Sequence, residues 1–185
     1  MTHATDIETR RVREREKYLA LTKSPTYGAT NHGRDAYPLV LKHAPRFVVD
    51  FGCGRNDFIR GLRRRGADGV GVDFAFEEAD IVAPMHRVPI ASGVADVVTS
   101  FDALEHLLPE DVSLVLDEMR RVSRPGGRFV LSIARRQSRI TVNGEGLHPT
   151  VRPLRWWLAE IARVGKVHSS RPYIEGQFIE EKGHA

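Results

Sequence analysis

The sequence predicts an α/β domain on an open, mostly parallel sheet with helices on both faces. Three features carry this: short runs of branched apolar residues that end in acids, helix-period segments between them, and glycine turns at the junctions. FVVDF (47–51) is a buried strand, too short for a helix. FIRGLRRRG follows as a helix that stops at Gly66, a C-terminal cap. GVGVDF (69–74) is a second strand and ADIV (79–82) a third, and AFEE between them leaves no room for a helix. After a loop with Pro84 and Pro89, ADVVTSF (95–101) is a fourth strand. Pro109 opens a helix whose Val112, Val115, Leu116, Met119 and Val122 share one face. RPGG breaks it, and RFVLSI (128–133) is a fifth strand, near-continuously apolar as expected when both sheet faces are covered. LRWWLAEIARVG predicts a last helix burying Leu154, Trp157, Leu158 and Ile161, and the tail offers two short strands around YIEGQFIEE. Strands alternating with helices imply right-handed βαβ units.

Composition sets the frame for these elements. A chain of 185 residues, 41% hydrophobic and 28% charged, is expected to form one domain over 1–185: an N-terminal helical segment (1–44), a cofactor-binding core (45–135) and a substrate-side loop, helix and hairpin (136–185). The single cysteine, Cys53, excludes a disulfide framework, and no Cys/His set has zinc-ligand spacing. The N-terminus lacks the apolar core of a secretory signal and no stretch is long enough to cross a bilayer, so a cytoplasmic location is expected. Net charge is +4, with basic clusters at RRVRERE, RGLRRRG and ARRQSR. They read as solvated faces rather than as a nucleic-acid footprint.

The chemistry-bearing stretch is VVDFGCGRNDF, where the first strand passes into a helix. In open α/β sheets ligands bind beyond the carboxyl ends of the strands. Gly52 and Gly54 let the backbone turn sharply and approach a ligand. Asp50 and Asp73 end their strands, and Asp73 lies about twenty residues past the glycines, as a ribose-binding acid should. A dinucleotide wants G-x-G-x-x-G, and here Asp57 stands at the third glycine, beside where the phosphates would lie. A cofactor with a ribose but no phosphate tolerates that acid, and an ammonium group on it would benefit from Asp50.

Here the chain resembles the class I S-adenosylmethionine-dependent methyltransferases. The matching stretches are VVDFGCG, GVDF, VPIASGVADVVTSFDALEHL and RRVSRPGGRFVLSI, in the family's order over about residues 45–135. The resemblance implies a Rossmann-like, seven-stranded sheet whose last strand is antiparallel, S-adenosyl-L-methionine as cofactor, and a small-molecule or glycan acceptor, as in compact bacterial or phage members. It places the cofactor against Asp50, Gly52, Cys53, Gly54, Asp73, Phe74, Met85 and Phe101. The chain departs from the family at Asn56, in place of a glycine, and at Pro84, where relatives carry an acid for the adenine amine; Asp80 is the alternative acceptor. Asparagine tolerates left-handed backbone, so the loop is expected to keep its shape.

Methyl transfer from a sulfonium needs a positioned nucleophile and, for a hydroxyl, removal of its proton; no metal is required in principle, and none is assigned. His106, Asp102 and His148 are the catalytic candidates, His106 first as a general base because its ordinary pKa lies near neutrality. The alternative is that Glu105 and His106 open a helix and fix the loop. Tyr27, His32 and Arg34, in a segment that is either a lid or a surface turn, join Arg152 and Trp156 as substrate-binding candidates. Trp156 is equally read as partly buried packing. Three further functions stay open: a ribose or RNA methyltransferase, a cofactor-binding module without activity and, more distantly, a nicotinamide oxidoreductase. SFDALEHL is not the Pro-rich aromatic motif of enzymes that methylate base amines.

Overall fold

The computed structural model describes residues 2–179, with side chains from residue 6 onward. The chain opens with α1 (Thr2–Leu21), then a 3-10 turn and the short α2 (Tyr37–Leu41). β1 (Phe47–Phe51), α3 (Asp57–Arg63), β2 (Asp68–Asp73), β3 (Ile81–Val82) and β4 (Ala95–Phe101) follow. After a 3-10 turn at Leu104–His106 come α4 (Pro109–Val122) and β5 (Ser123–Ser132). A hairpin of β6 (Thr141–Val142) and β7 (Glu145–Gly146) precedes α5 (Leu154–Ala162), β8 (Gly165–Ser169) and β9 (Ile174–Phe178).

Seven strands form one sheet in the order β3-β2-β1-β4-β5-β9-β8. The strands from β3 to β5 are parallel, and β9, the last strand, runs antiparallel to both its neighbours. The expected α/β architecture is thus present. Only turns link β2 to β3, as the short AFEE segment requires. The tail supplies the two expected short strands, paired antiparallel as a hairpin, β8 just before YIEGQFIEE and β9 inside it. Glu180 and Glu181 of it lie outside the described residues.

Alternation along each strand sends successive side chains to opposite faces. Val49, Val98 and Leu131 pack with Leu116, Met119 and Trp157 on one side, whereas Val48, Val97 and Val130 pack with Tyr37, Ile59 and Leu62 on the other. Full burial of such an aliphatic side chain contributes about 1.5–3 kcal/mol. In α4 the five residues of the predicted face are all buried, and acids in its first turn and arginines in its last suit the helix dipole. In α5, Trp157 and Ile161 are buried, and Leu154 and Leu158 pack partly covered against the core. Gly66, at φ +83°, ends the turn after α3, where the Ala67 N–H reaches back to the Leu62 carbonyl.

Because β1, β2, β4 and β5 are parallel, Asp50, Asp73, Phe101 and Ser132 come to the same end of the sheet. α1 crosses this end. Arg11 holds Asp111 of α4 at 3.1 Å, Arg10 holds Glu110 at 2.6 Å, and Tyr18 is buried beside Phe74 and the His106 ring. Among the described residues, no helix is long and apolar enough to cross a membrane.

Candidate active site

The loop after β1 is fixed by its backbone. The N–H groups of Gly52 and Cys53 both donate to the Val72 carbonyl, at 2.8 and 3.0 Å, so the chain folds over the end of β2. Gly52 has φ +75°, and a Cβ there would sit 2.4 Å from the Ala103 Cβ; only glycine lets the loops after β1 and β4 meet. Gly54 is different: at φ +52°, its missing Cβ would meet nothing closer than Phe76 at 4.0 Å, and it leaves room for a ligand. Asn56, buried, adopts φ 63°, ψ 23°, the left-handed conformation expected of the residue that replaces the family glycine. Its Nδ2 donates to the Glu78 carbonyl at 3.2 Å.

Two buried acids flank this loop. Asp73 accepts the Gly54 N–H at Oδ2 (3.0 Å) and the Ala75 N–H at Oδ1 (2.8 Å), so backbone donors orient it while Oδ2 retains acceptor capacity. Burial raises its pKa and these N–H groups oppose the rise. Asp50 accepts the Thr99 hydroxyl at 2.7 Å, and burial pushes its carboxyl up to about 7. A cation placed beside it would reverse that shift. Asp80 is committed elsewhere, to Arg63 and the Gly71 N–H, both at 2.9 Å, which tie α3 to β2.

The loop after β4 supplies the other side. Asp102, at φ 49°, accepts the Ser132 hydroxyl at 2.9 Å and pairs with His32 Nδ1 at 2.8 Å. The two partners hold Asp102 below the usual carboxylate range against its burial, and the Asp102 bond raises His32. In the 3-10 turn, Glu105 is fully buried; Oε1 accepts the Ala134 N–H at 3.1 Å, Oε2 has no hydrogen-bond partner, and burial lifts the carboxyl to about 8. His106 Nδ1 lies 2.8 Å from the Leu147 carbonyl and also meets the Tyr18 hydroxyl; burial lowers the ring to about 4. His148 packs edge-on against it, ring centroids 4.6 Å apart, with Nδ1 2.6 Å from the Arg136 carbonyl.

These groups line one cleft of about 370 Å3, within the range of small-molecule sites. Asp50, Gly52, Cys53, Gly54, Asp73, Phe74, Met85 and Phe101 are all on its wall, as are Asp102, His106, His148, Tyr27 and His32. Burial raises the Cys53 thiol pKa, which keeps the thiol protonated. Tyr27 stacks on Phe76, and Arg55 donates to the Tyr27 carbonyl at 3.0 Å, fastening the segment before β1 over the glycine loop. Arg34, Arg152 and Trp156 do not line the cleft. Arg34 pairs with the adjacent Asp35 in solvent. Trp156 lies edge-on to Trp157 against the core with Arg152 over its ring, because α5 packs on the sheet face away from the strand ends. A second cavity of about 330 Å3 shares Phe74 and Met85 and includes Pro84.

Sequence reasoning left out Glu105 as a site group, and Tyr18, Arg136 and Arg139, which line the cleft too. The Asn-Gly pair in TVNGEG was the available signal for Arg136 and Arg139: with Asn143 and Gly144 both at positive φ it makes a tight β6–β7 hairpin. That hairpin and Leu147 bring the ARRQSR run to the cleft mouth. Nothing local marked Tyr18, which reaches the site from α1 by donating to the Leu147 carbonyl at 2.8 Å.

A parallel sheet with one inserted antiparallel strand, a glycine turn after β1 and an acid closing β2 define the class of fold as Rossmann-like. Residues 49–131 match the family model described as a methyltransferase domain. A ubiquinone biosynthesis O-methyltransferase of Psychrobacter cryohalolentis is 30% identical over 112 residues, 50% of this chain and 42% of that protein. An uncharacterized methyltransferase of Mycobacterium tuberculosis is 28% identical over 138 residues, 66% of this chain and 56% of that protein. The chain thus spans about half the length of the curated relatives it matches. In fold it is similar to a 1,6-didemethyltoxoflavin-N1-methyltransferase of Burkholderia thailandensis solved with S-adenosylhomocysteine, at TM-score 0.65 and 16% identity over 96% of this chain and 89% of that one.

Proposed function

We propose that the chain transfers a methyl group from S-adenosylmethionine to a hydroxyl or amine of a small-molecule acceptor. The observation that supports this is one cleft with two unlike sides: an open glycine turn between buried Asp50 and Asp73, facing a polar group made by Asp102, Glu105, His106 and His148. The residues suit the donor. Gly54 leaves space where a Cβ would project, Asp73 Oδ2 can accept a ribose hydroxyl, and Asp50 can pair with an ammonium. Phe74 and Met85 provide apolar contact for the adenine; since Asp80 is engaged by α3, the base is held by packing and backbone groups rather than by a carboxylate.

When bound, the donor supplies an activated methyl on a cationic sulfur and leaves as a neutral thioether. The chain orients the acceptor and receives its proton. His32 and Ser132 keep Asp102 ionised and aimed. Removal of a hydroxyl proton falls to the group of Glu105, His106 and His148. Incubation with labelled donor and a panel of phenols, catechols and heterocyclic amines tests this; formation of S-adenosylhomocysteine with any of them supports the reading, and none with any acceptor contradicts it.

A second reading, methylation of a ribose in RNA, is favoured by Arg136 and Arg139 at the mouth. It predicts short RNA as the better acceptor, with affinity falling steeply as salt rises.

A further inference from the structure

Glu105, His106 and His148 come from two segments that the fold brings together: the 3-10 turn after β4 and the strand-free stretch after the β6–β7 hairpin. A carboxylate oxygen of Glu105 and one ring nitrogen from each histidine all lie within 4.8 Å of one another. We propose that these three side chains bind a divalent transition-metal cation, which holds the acceptor's oxygen in the cleft.

Three independent features point to a cation. First, Glu105 is fully buried, and with Oε1 taken by the Ala134 N–H its Oε2 is left without a partner. A buried carboxylate oxygen with nothing to accept is costly, and a metal ion satisfies it. Second, Nδ1 of each histidine faces a backbone carbonyl, Leu147 for His106 and Arg136 for His148. Donation of an N–H to a carbonyl leaves Nε2 with the lone pair, and such outer bonds are what orient metal-ligating imidazoles. Third, two imidazoles and one carboxylate form a set suited to first-row metals that keep open coordination positions. The cluster opens on the proposed acceptor side, so those positions are accessible to a hydroxyl.

The cation's role rests on the proposed methyl transfer; its binding does not. With the cation in place the three side chains act as its ligands and not as the base: a metal-bound acceptor hydroxyl loses its proton more readily, to solvent, and keeps its oxygen fixed as the nucleophile. This specifies the acceptor class as one with an oxygen, or two adjacent oxygens, able to ligate a metal.

The test is titration of the metal-stripped chain with Co2+, read by visible absorption and calorimetry, for wild type, Glu105→Gln, His148→Ala and His168→Ala. His168 lies on β8, away from the cleft, and serves as the control. Wild type and His168→Ala are expected to bind one equivalent, and the two site variants to bind at least about tenfold more weakly. Far-UV circular dichroism checks folding. Should Glu105→Gln not fold, His148→Ala, whose side chain is only partly buried, decides alone. Absence of Co2+ binding by wild type, or equal binding by His148→Ala, overturns the site. S-adenosylhomocysteine titration in parallel separates the two proposals: metal binding without cofactor binding leaves the site standing and removes the methyltransferase reading, and methylation unaffected by chelator in a chain that binds no Co2+ does the reverse.

Discussion

The two sides of the cleft are built by different means. The side proposed for the donor comes from the ends of adjacent parallel strands, and its loop is held by backbone N–H groups: Gly52 and Cys53 to Val72, Gly54 to Asp73. The side proposed for the acceptor is gathered from α1, the segment before β1, the turn after β4 and the loop after β5, and is held by side chains: Tyr18 to Leu147, His32 to Asp102, Arg55 to the Tyr27 carbonyl. Backbone-held geometry is local and rigid, and substitutions there change stability and donor binding together. Side-chain-held geometry is long-range, so substitutions there should alter turnover with little effect on the fold.

The strongest way to break this contrast is Gly52→Val. A β-branched side chain at φ +75° with its Cβ 2.4 Å from Ala103 strains the backbone and parts two loops. A loss of about 2–5 kcal/mol is expected from the left-handed strain and overpacking combined, together with loss of donor binding; the urea midpoint and donor calorimetry measure both.

Asp50→Asn probes the donor side through pH. Asp50 is raised from 3.8 to about 7, so the folded chain binds a proton that the unfolded chain releases. Its stabilising contribution is present below pH 3.8 and lost as pH rises through about 7. Asparagine does not titrate. The stability of the variant relative to wild type should therefore rise between pH 4 and pH 7, by an amount on the order of 4 kcal/mol. Denaturant melts across that interval measure it, and a constant difference would contradict it.

On the acceptor side, His32→Gln removes a pair whose side chains are 50% and 30% exposed. Solvent screening limits the stability cost to about 1 kcal/mol or less. Turnover should fall while donor affinity stays unchanged, a kinetic split that equilibrium binding of the donor and initial rates resolve. Smallest of all is Arg152→Ala, whose guanidinium rests over Trp156 outside the cleft. Stability should stay within about 0.5 kcal/mol, with kcat/KM unaltered.

The same contrast explains what was legible in the sequence. FVVDFGCG and GVDF encode strand, turn and acid within a few residues, so Asp50, Gly52, Gly54 and Asp73 line the cleft where the strand ends lead them, and Asn56 takes the left-handed backbone its amide tolerates. Arg152 and Trp156 lie outside the cleft because α5, which carries Trp156 with Arg152 over its ring, packs on the sheet face. Glu105 was passed over since its neighbours make a plausible helix start. Its unpartnered Oε2 and the approach of His148 exist only once the loop after β5 has folded back. Tyr18, from a charged helix far from any motif, had no local signal at all.

The account stands most directly on donor binding through the acid that closes β2. Calorimetric titration of wild type and Asp73→Asn with S-adenosylhomocysteine should show one site in wild type, weakened at least about tenfold in the variant, the loss of a hydrogen bond to a charged group. No binding by wild type, or equal affinity in the two chains, would contradict it.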